Sequence, residues 1–407
     1  MSTDGLSRSR LGRVRDAMAK HVEQGALPGA VGVVARGDDV WVEAVGSTAF
    51  DGGRPMARDT IFRIASMSKP VTAVVALMLV EEAVLRLDDP VDAFLPELAD
   101  RRVLRSLDAD PADPGNLIAA ERPITLRDLL TFRLGYGALL AAPGTYPVQK
   151  ALADAGLAPG PPKTTPPSGL DDWLARLGGL PLLHQPGASW LYHTGSTVLG
   201  ALLVRATGTG LEELYQERLF RPLGMTDTAF HVPPHKRDRL ATAYRLDRES
   251  GVLVPSDLAD ASSKWADPPA FPDAGADLVS TADDFLRFGR LLLDKGTCPG
   301  GRLLSRASVE LMTRNHLTPA QQSGDHYLAG PPESRGWGFG VSVVTARDQL
   351  YATPGRYGWE GGMGTSWAGD PAEDVTGILL GQATFETPGS AALYEDFWNT
   401  AYAALDA

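Results

Sequence analysis

Ser66-Met67-Ser68-Lys69 places a hydroxyl and an amine three positions apart. Residues i and i+3 share one face of a helix, so the two groups can meet. A free hydroxyl is a poor nucleophile at neutral pH and needs a base, and a lysine serves when burial or a nearby cation lowers its pKa. The pair therefore points to acyl transfer through an ester on Ser66. Pro70 sharpens the reading, because proline is tolerated in the first turn of a helix and not in its interior. The helix is expected to begin at Ser66 or just before it. Free backbone N–H groups and the positive end of the helix dipole would then face a developing oxyanion. Taken alone, the tetrad also fits a serine capping a core helix above a lysine that reaches water.

The elements that must hold this pair can be read on either side of it. Leu11, Val14, Met18 and Val22 recur at helical spacing and predict an amphipathic helix packed on the body. Ala30–Ala35 and Val40–Val45 flank Gly37-Asp38-Asp39, a hairpin signal. Residues 66–87 read as one helix, apolar nearly all round and hence buried. Helical stretches are expected next at 125–132, 171–177, 196–206, 211–220, 283–293 and 305–315. Residues 141–169 are rich in proline and glycine and read as a long irregular loop, a lid or a cleft wall. Strands are expected at 338–345, 350–353, 364–368 and 375–382, and a last helix over 391–405. Strands thus cluster at both ends with helices between. This gives a two-lobed α+β fold: one antiparallel sheet from both chain ends, flanked by terminal helices (1–87 and 271–407), with an inserted, mostly helical lobe (88–270). A cleft between lobes is where a small molecule would bind.

With these elements in place, the chain resembles the family of serine β-lactamases, DD-peptidases and related serine esterases, over most of its length. FRIASMSKPVTA is similar to the family's first motif, and LRLDDPVDAFLPE to the segment after it. ITLRDLLTFRLGYG, which contains Tyr136, PGASWLYHTGSTVLGALLVRATG, RLFRPLGMTDTAF and GADLVSTADDFLRFGRLLL continue the likeness. The resemblance implies a β-lactamase/transpeptidase-like fold. It implies that Ser66 attacks a carbonyl while Lys69 and Tyr192 manage its proton, with either of the two as resting base. The family's second motif is commonly Tyr-Ser-Asn or Tyr-Ala-Asn, whereas Tyr192-His193-Thr194 stands here, and His193 either orients a group near the site or is simply exposed. The third motif is usually Lys-Thr-Gly or His-x-Gly. Here Trp359-Glu360-Gly361 is similar to the Trp-x-Gly form of some esterases, or the register is Glu360-Gly361-Gly362. In the first register the N–H groups of Ser66 and Gly362 form the oxyanion hole, and glycine lets the backbone approach the substrate. Trp359, Glu360, Gly361, Tyr136 and His193 are the expected pocket residues.

A β-lactam or a peptidoglycan stem carries a carboxylate beside the scissile bond, which a Lys or His of the third motif helps to hold. Trp359 offers an apolar wall and Glu360 would repel an anion, so an uncharged ester is favoured. The expectation is a carboxylesterase or acyltransferase on small esters. The alternatives are a β-lactamase, DD-peptidase or D-amino-acid amidase, or a catalytically silent ligand-binding protein of the same fold. The net charge of −12 speaks against nucleic-acid binding. Residues 73–80 are too short to cross a bilayer, and the first residues hold no apolar core of a secretory signal, so no membrane partner and a cytoplasmic setting are expected. Cys298, the single cysteine, excludes an intrachain disulfide. Ser366, in Gly364-Thr365-Ser366-Trp367-Ala368, lacks the downstream histidine that a nucleophile elbow needs. Pro233 and Pro234 break the helix that would align His231 with His235 on a metal. No cofactor and no metal are expected.

Overall fold

The computed structural model describes residues 5–157, 169–385 and 387–405. The N-terminal helix α1 (Arg8–Glu23) buries Leu11, Val14 and Met18. Strands β1 (Gly29–Arg36) and β2 (Asp39–Gly46) form the expected hairpin, closed by a two-residue turn in which Gly37 takes φ +52°. Gly-first turns of this kind match the twist of paired strands. Farther along come the helices α2 (Ser68–Glu81), α3 (Thr194–Thr207) and α4 (Ala282–Leu293). The chain then adds β3 (Arg335–Trp337), β4 (Ser342–Val344), β5 (Tyr357–Gly361), β6 (Thr365–Asp370) and β7 (Val375–Leu380), and α5 (Pro388–Ala403). The strands make a seven-stranded sheet in the order β3-β4-β5-β6-β7-β1-β2, antiparallel at every pairing. Both ends of the chain therefore build one sheet, as the distribution of strands predicts.

Burial explains each strand's place. β1 is apolar and buried along nearly its whole length, which suits a central strand covered on both faces, while β2 at the edge stays half exposed. One face carries α1 and α5. A Cβ at Gly32 would lie 2.8 Å from Met18 Sδ and 3.0 Å from Phe397, so glycine lets both helices press onto β1. The other face carries α4, whose Phe285 and Phe288 pack on Trp367 with ring centroids 5.7 and 5.5 Å apart. α2 packs on α3 and is buried from Ser68 to Leu79. No helix among the described residues is long and apolar enough to cross a membrane.

Several boundaries differ from expectation. The helix predicted over 66–87 starts at Ser68, after a single 3-10 turn at Ala65–Met67, and stops at Glu81. It stops because Ala83 adopts φ +57° and Val84 N–H returns to Leu79 O at 3.0 Å, a left-handed cap that usually carries glycine. Within the predicted loop 141–169, Pro147–Asp154 is a helix, and residues 158–168 lie outside the described residues. Residues 338–341 are the tight link between β3 and β4, with Gly338 N–H bonded to Val341 O at 2.8 Å. Residues 350–353 form no strand; 350 and 351 are a turn. β5 is a strand where none is expected from the sequence, and it packs against the turn that carries Ser66.

Candidate active site

Ser66 sits on a clamped turn. Just before it, Phe62 and Arg63 pair with Ser280 and Val279, and Ile64 N–H donates to Leu278 O at 3.0 Å. The buried Arg63 guanidinium is tied to Asp257 Oδ2 through Nε at 2.7 Å and through Nη2, and lies 5.0 Å from the Trp265 ring centroid. Ala65 then takes φ +45°, a strained region for a residue with a Cβ. Ser68 ties the turn together: its hydroxyl donates to Ala65 O at 2.6 Å and accepts from Leu278 N–H at 3.2 Å. The result is a 3-10 turn that lifts Ser66 to the mouth of α2 while Met67 and Lys69 go inward.

Lys69 is 1% exposed. Its amine lies 2.9 Å from Ser66 Oγ, 2.8 Å from Gly275 O and 3.4 Å from His193 Nδ1, and 4.6 Å from the centroid of the Tyr192 ring. Burial pulls its pKa down to about 7, against the opposing pull of Asp273. Tyr192 comes from the segment before α3. Its phenol accepts from Trp359 Nε1 at 2.6 Å. Burial pushes its pKa well above the ordinary phenol value, against the opposing pull of Ser66 and Trp359. Serine, lysine and tyrosine thus share one small volume.

The end of β5 closes the site from the side. Gly361 leaves no room for a Cβ, which would lie 2.2 Å from Ile64 O and 2.2 Å from Thr365 Oγ1. Glycine is what lets β5 touch the Ser66 turn. Gly362, next in the chain, is exposed, and space is open where its Cβ would be. Neither the Ser66 nor the Gly362 amide is used by the backbone hydrogen bonds of the described turns, so both can donate to a ligand.

The β-lactamase family model matches residues 14–396. The chain belongs to the β-lactamase family. Within it, the protein is 38% identical to Protein Rv1367c of Mycobacterium tuberculosis over 370 residues, 88% of this chain and 86% of that one. It is 31% identical to Esterase EstB of Burkholderia gladioli over 378 residues, 88% and 87% of the two chains. Among solved structures, EstCE1, described as a hydrolase with promiscuous acyltransferase activity, superposes with a TM-score of 0.78 at 26% identity, covering 97% of this chain and 99% of that one.

In this β-lactamase-family chain the expected pocket residues separate. Trp359 and Gly361 lie at the site. Glu360 does not: strand side chains alternate between faces, and Glu360 points to the face covered by α5, where Tyr394 Oη donates to it at 3.0 Å. It lines a cavity of about 340 Å³ with Arg335, Arg356, Trp359 and Tyr394. Burial raises the Glu360 pKa, which weakens the argument that it repels an anion at the reacting bond. Tyr136 is also misplaced by the sequence reading. It is a core residue, its hydroxyl donating to Leu177 O at 3.0 Å and accepting from Arg101 Nη2 at 2.9 Å. His193 is not simply exposed. Its ring stands between Lys69 and Asp273, with Nε2 2.9 Å from Asp273 Oδ2.

The sequence reading missed Asp273, Gly275 and Asp277. Asp273 accepts from Thr197 Oγ1 at 2.9 Å and from Gly275 N–H at 2.8 Å, and its own N–H donates to Asp277 Oδ2 at 2.7 Å. Asp273-Ala274-Gly275 carries the signal of a side-chain-to-backbone turn, but nothing local ties that turn to a lysine some two hundred positions earlier.

Proposed function

We propose that the protein is a serine esterase that acylates Ser66 and passes the acyl group to water or to an alcohol. The observation that carries this reading is the 2.9 Å contact between Ser66 Oγ and a buried Lys69 whose pKa falls to about 7. At neutral pH about half of such lysines are neutral amines, which can take the serine proton as the hydroxyl attacks. Tyr192, with its pKa raised, keeps its proton there. Lys69 is therefore the resting base. Tyr192 keeps its proton beside Ser66 and, once the tetrahedral intermediate forms, would protonate the departing alkoxide. The amides of Ser66 and Gly362 would receive the oxyanion. Water or an alcohol then attacks the acyl-enzyme, with the same proton moves in reverse.

An ester is favoured over a β-lactam because Trp359 stands where many family members carry a cationic side chain, and it spends its N–H on Tyr192. EstB and EstCE1, whose names state esterase and acyltransferase activities, support the same choice. The reading includes a cytoplasmic setting, which a chain with one cysteine suits. The test compares p-nitrophenyl butyrate with nitrocefin for the wild type and Ser66→Ala. Ester turnover in the wild type and its loss in Ser66→Ala are expected. Rapid nitrocefin turnover without ester turnover, or full ester turnover by Ser66→Ala, would contradict the proposal.

A further inference from the structure

His193 occupies an unusual backbone state. Its φ and ψ are +83° and −65°, and Thr194 N–H bonds back to Tyr192 O at 3.2 Å, a γ-turn of the rarer, strained hand. Such strain persists where the surrounding structure enforces it, often beside a functional group. Here it brings the imidazole into the gap between Lys69 and Asp273. With Asp273 Oδ2 2.9 Å from Nε2, that nitrogen carries a proton and donates it. Nδ1 is then an acceptor facing the Lys69 amine at 3.4 Å. A lysine ammonium has three protons, and here it meets three acceptors: Ser66 Oγ, Gly275 O and His193 Nδ1.

We propose that the His193–Asp273 pair is a proton store that lets Lys69 face Ser66 as a neutral amine. The step rests on the reading of Ser66 and Lys69 given above. One N–H bond of the Lys69 ammonium breaks and one forms at His193 Nδ1. The imidazolium so made is held by the Asp273 carboxylate, and the Lys69 lone pair is left for the serine proton. His193 touches no substrate in this scheme; it is a positioning residue that acts through Lys69.

The charge around the pair favours this. Burial pushes the Asp273 carboxyl up, but His193 and Lys69 outweigh it and hold the group below the usual carboxylate range. Asp273 is thus an anion throughout. Asp277, which faces Asp273, is pushed up by burial and by Asp273 itself, so the pair of acids does not add a second full charge. The other titratable groups within range are Tyr192 on one side, Lys264 beyond Asp277, Glu360 beyond Tyr192, and Tyr215, which reaches α2 through Thr72 Oγ1 at 2.8 Å. None of them bridges the lysine to a carboxylate as His193 does.

The test is the pH profile of kcat/KM for p-nitrophenyl butyrate in the wild type, His193→Asn, His193→Gln and Asp273→Asn, with thermal melts and mass detection of the Ser66 adduct. Asparagine is among the non-glycine residues found most often at positive φ, and the thermal melt checks that His193→Asn stays folded. Without the store, Lys69 must hold its proton alone beside Asp273, and the acidic limb should move up by about one pH unit, a roughly tenfold deficit on the acidic side that closes at alkaline pH. Asp273→Asn leaves the imidazolium without its carboxylate and also removes the charge that raises the Lys69 pKa, so its limb should move up by less than that of His193→Asn. A folded His193→Asn or His193→Gln whose limb stays where the wild type has it, with the Ser66 adduct still formed, overturns the inference. Absence of any Ser66 adduct in the wild type overturns the acyl-enzyme reading instead.

Discussion

Lys69 is the decisive group at the scale of the residue. A base with a pKa of about 7 must be unprotonated to work, so kcat/KM should climb with pH to a plateau, with an acidic limb near neutrality. A rate independent of pH from 5 to 8 would contradict this role. The same group bears on stability. Its folded pKa lies below the unfolded value of about 10.4, so the unfolded chain binds the extra proton between these two values. Stability therefore rises with pH across that window and bears the full burden of a buried charge below about 7. Lys69→Met removes that burden. It should abolish turnover yet raise Tm at pH 6 by ~2 °C or more; a lower Tm would contradict a costly buried ammonium. The pairing of Ser66 with Lys69 was legible from their spacing, whereas Tyr192, distant in the chain, was singled out only by its resemblance to the family's second motif. Glu360 was misjudged because a motif gives order along a strand, and only the pairing of β5 says which face each side chain takes. For His193 the sequence left two readings open, orienting a group near the site or exposure, because its partner, Asp273, is brought to it by tertiary packing alone.

Among the elements, β5 and the Ser66 turn depend on each other. Gly361→Ala would put a methyl 2.2 Å from Ile64 O. The strand must then back away from Ser66 and take the Gly362 amide with it. A displacement on the order of 1 Å at such a site costs about 100-fold in kcat, and a folded Gly361→Ala with full activity would remove β5 from the catalytic geometry. Behind the turn, Arg63 and Asp257 form a buried pair. Asp257→Ala leaves the guanidinium without its anion, a change expected to cost about 3–5 kcal/mol and readable as a large fall in Tm; an unchanged Tm would show that the carbonyl of Leu258 and the Trp265 ring suffice. Long elements could be read, α1 from its periodicity and α2 from its length and continuous apolar character. Their ends could not. Ala83 closes α2 in a conformation that glycine usually signals, and β5, with its mixed aromatic and glycine content, lacks the β-branched run that marks β1.

Across the whole molecule, strands from residues 29–46 and 335–380 share one sheet, so the site cannot be completed until both ends of the chain have met. Removing α5 would take away Phe397 and Trp398, each 1% exposed or less, and bare the sheet face they cover. A chain ending at residue 385 should therefore yield no soluble, active protein, and an active truncation would contradict the single-sheet architecture. This scale was the most legible in the sequence, because strands at both ends and helices between allow few economical arrangements. The most direct measurement is the intact mass and peptide map of the protein quenched during turnover of p-nitrophenyl butyrate. One butyryl group on the peptide that contains Ser66, absent from Ser66→Ala and not accumulating in Lys69→Met, is the predicted result. Turnover with an adduct on any other residue, or an undiminished adduct in Lys69→Met, would contradict it.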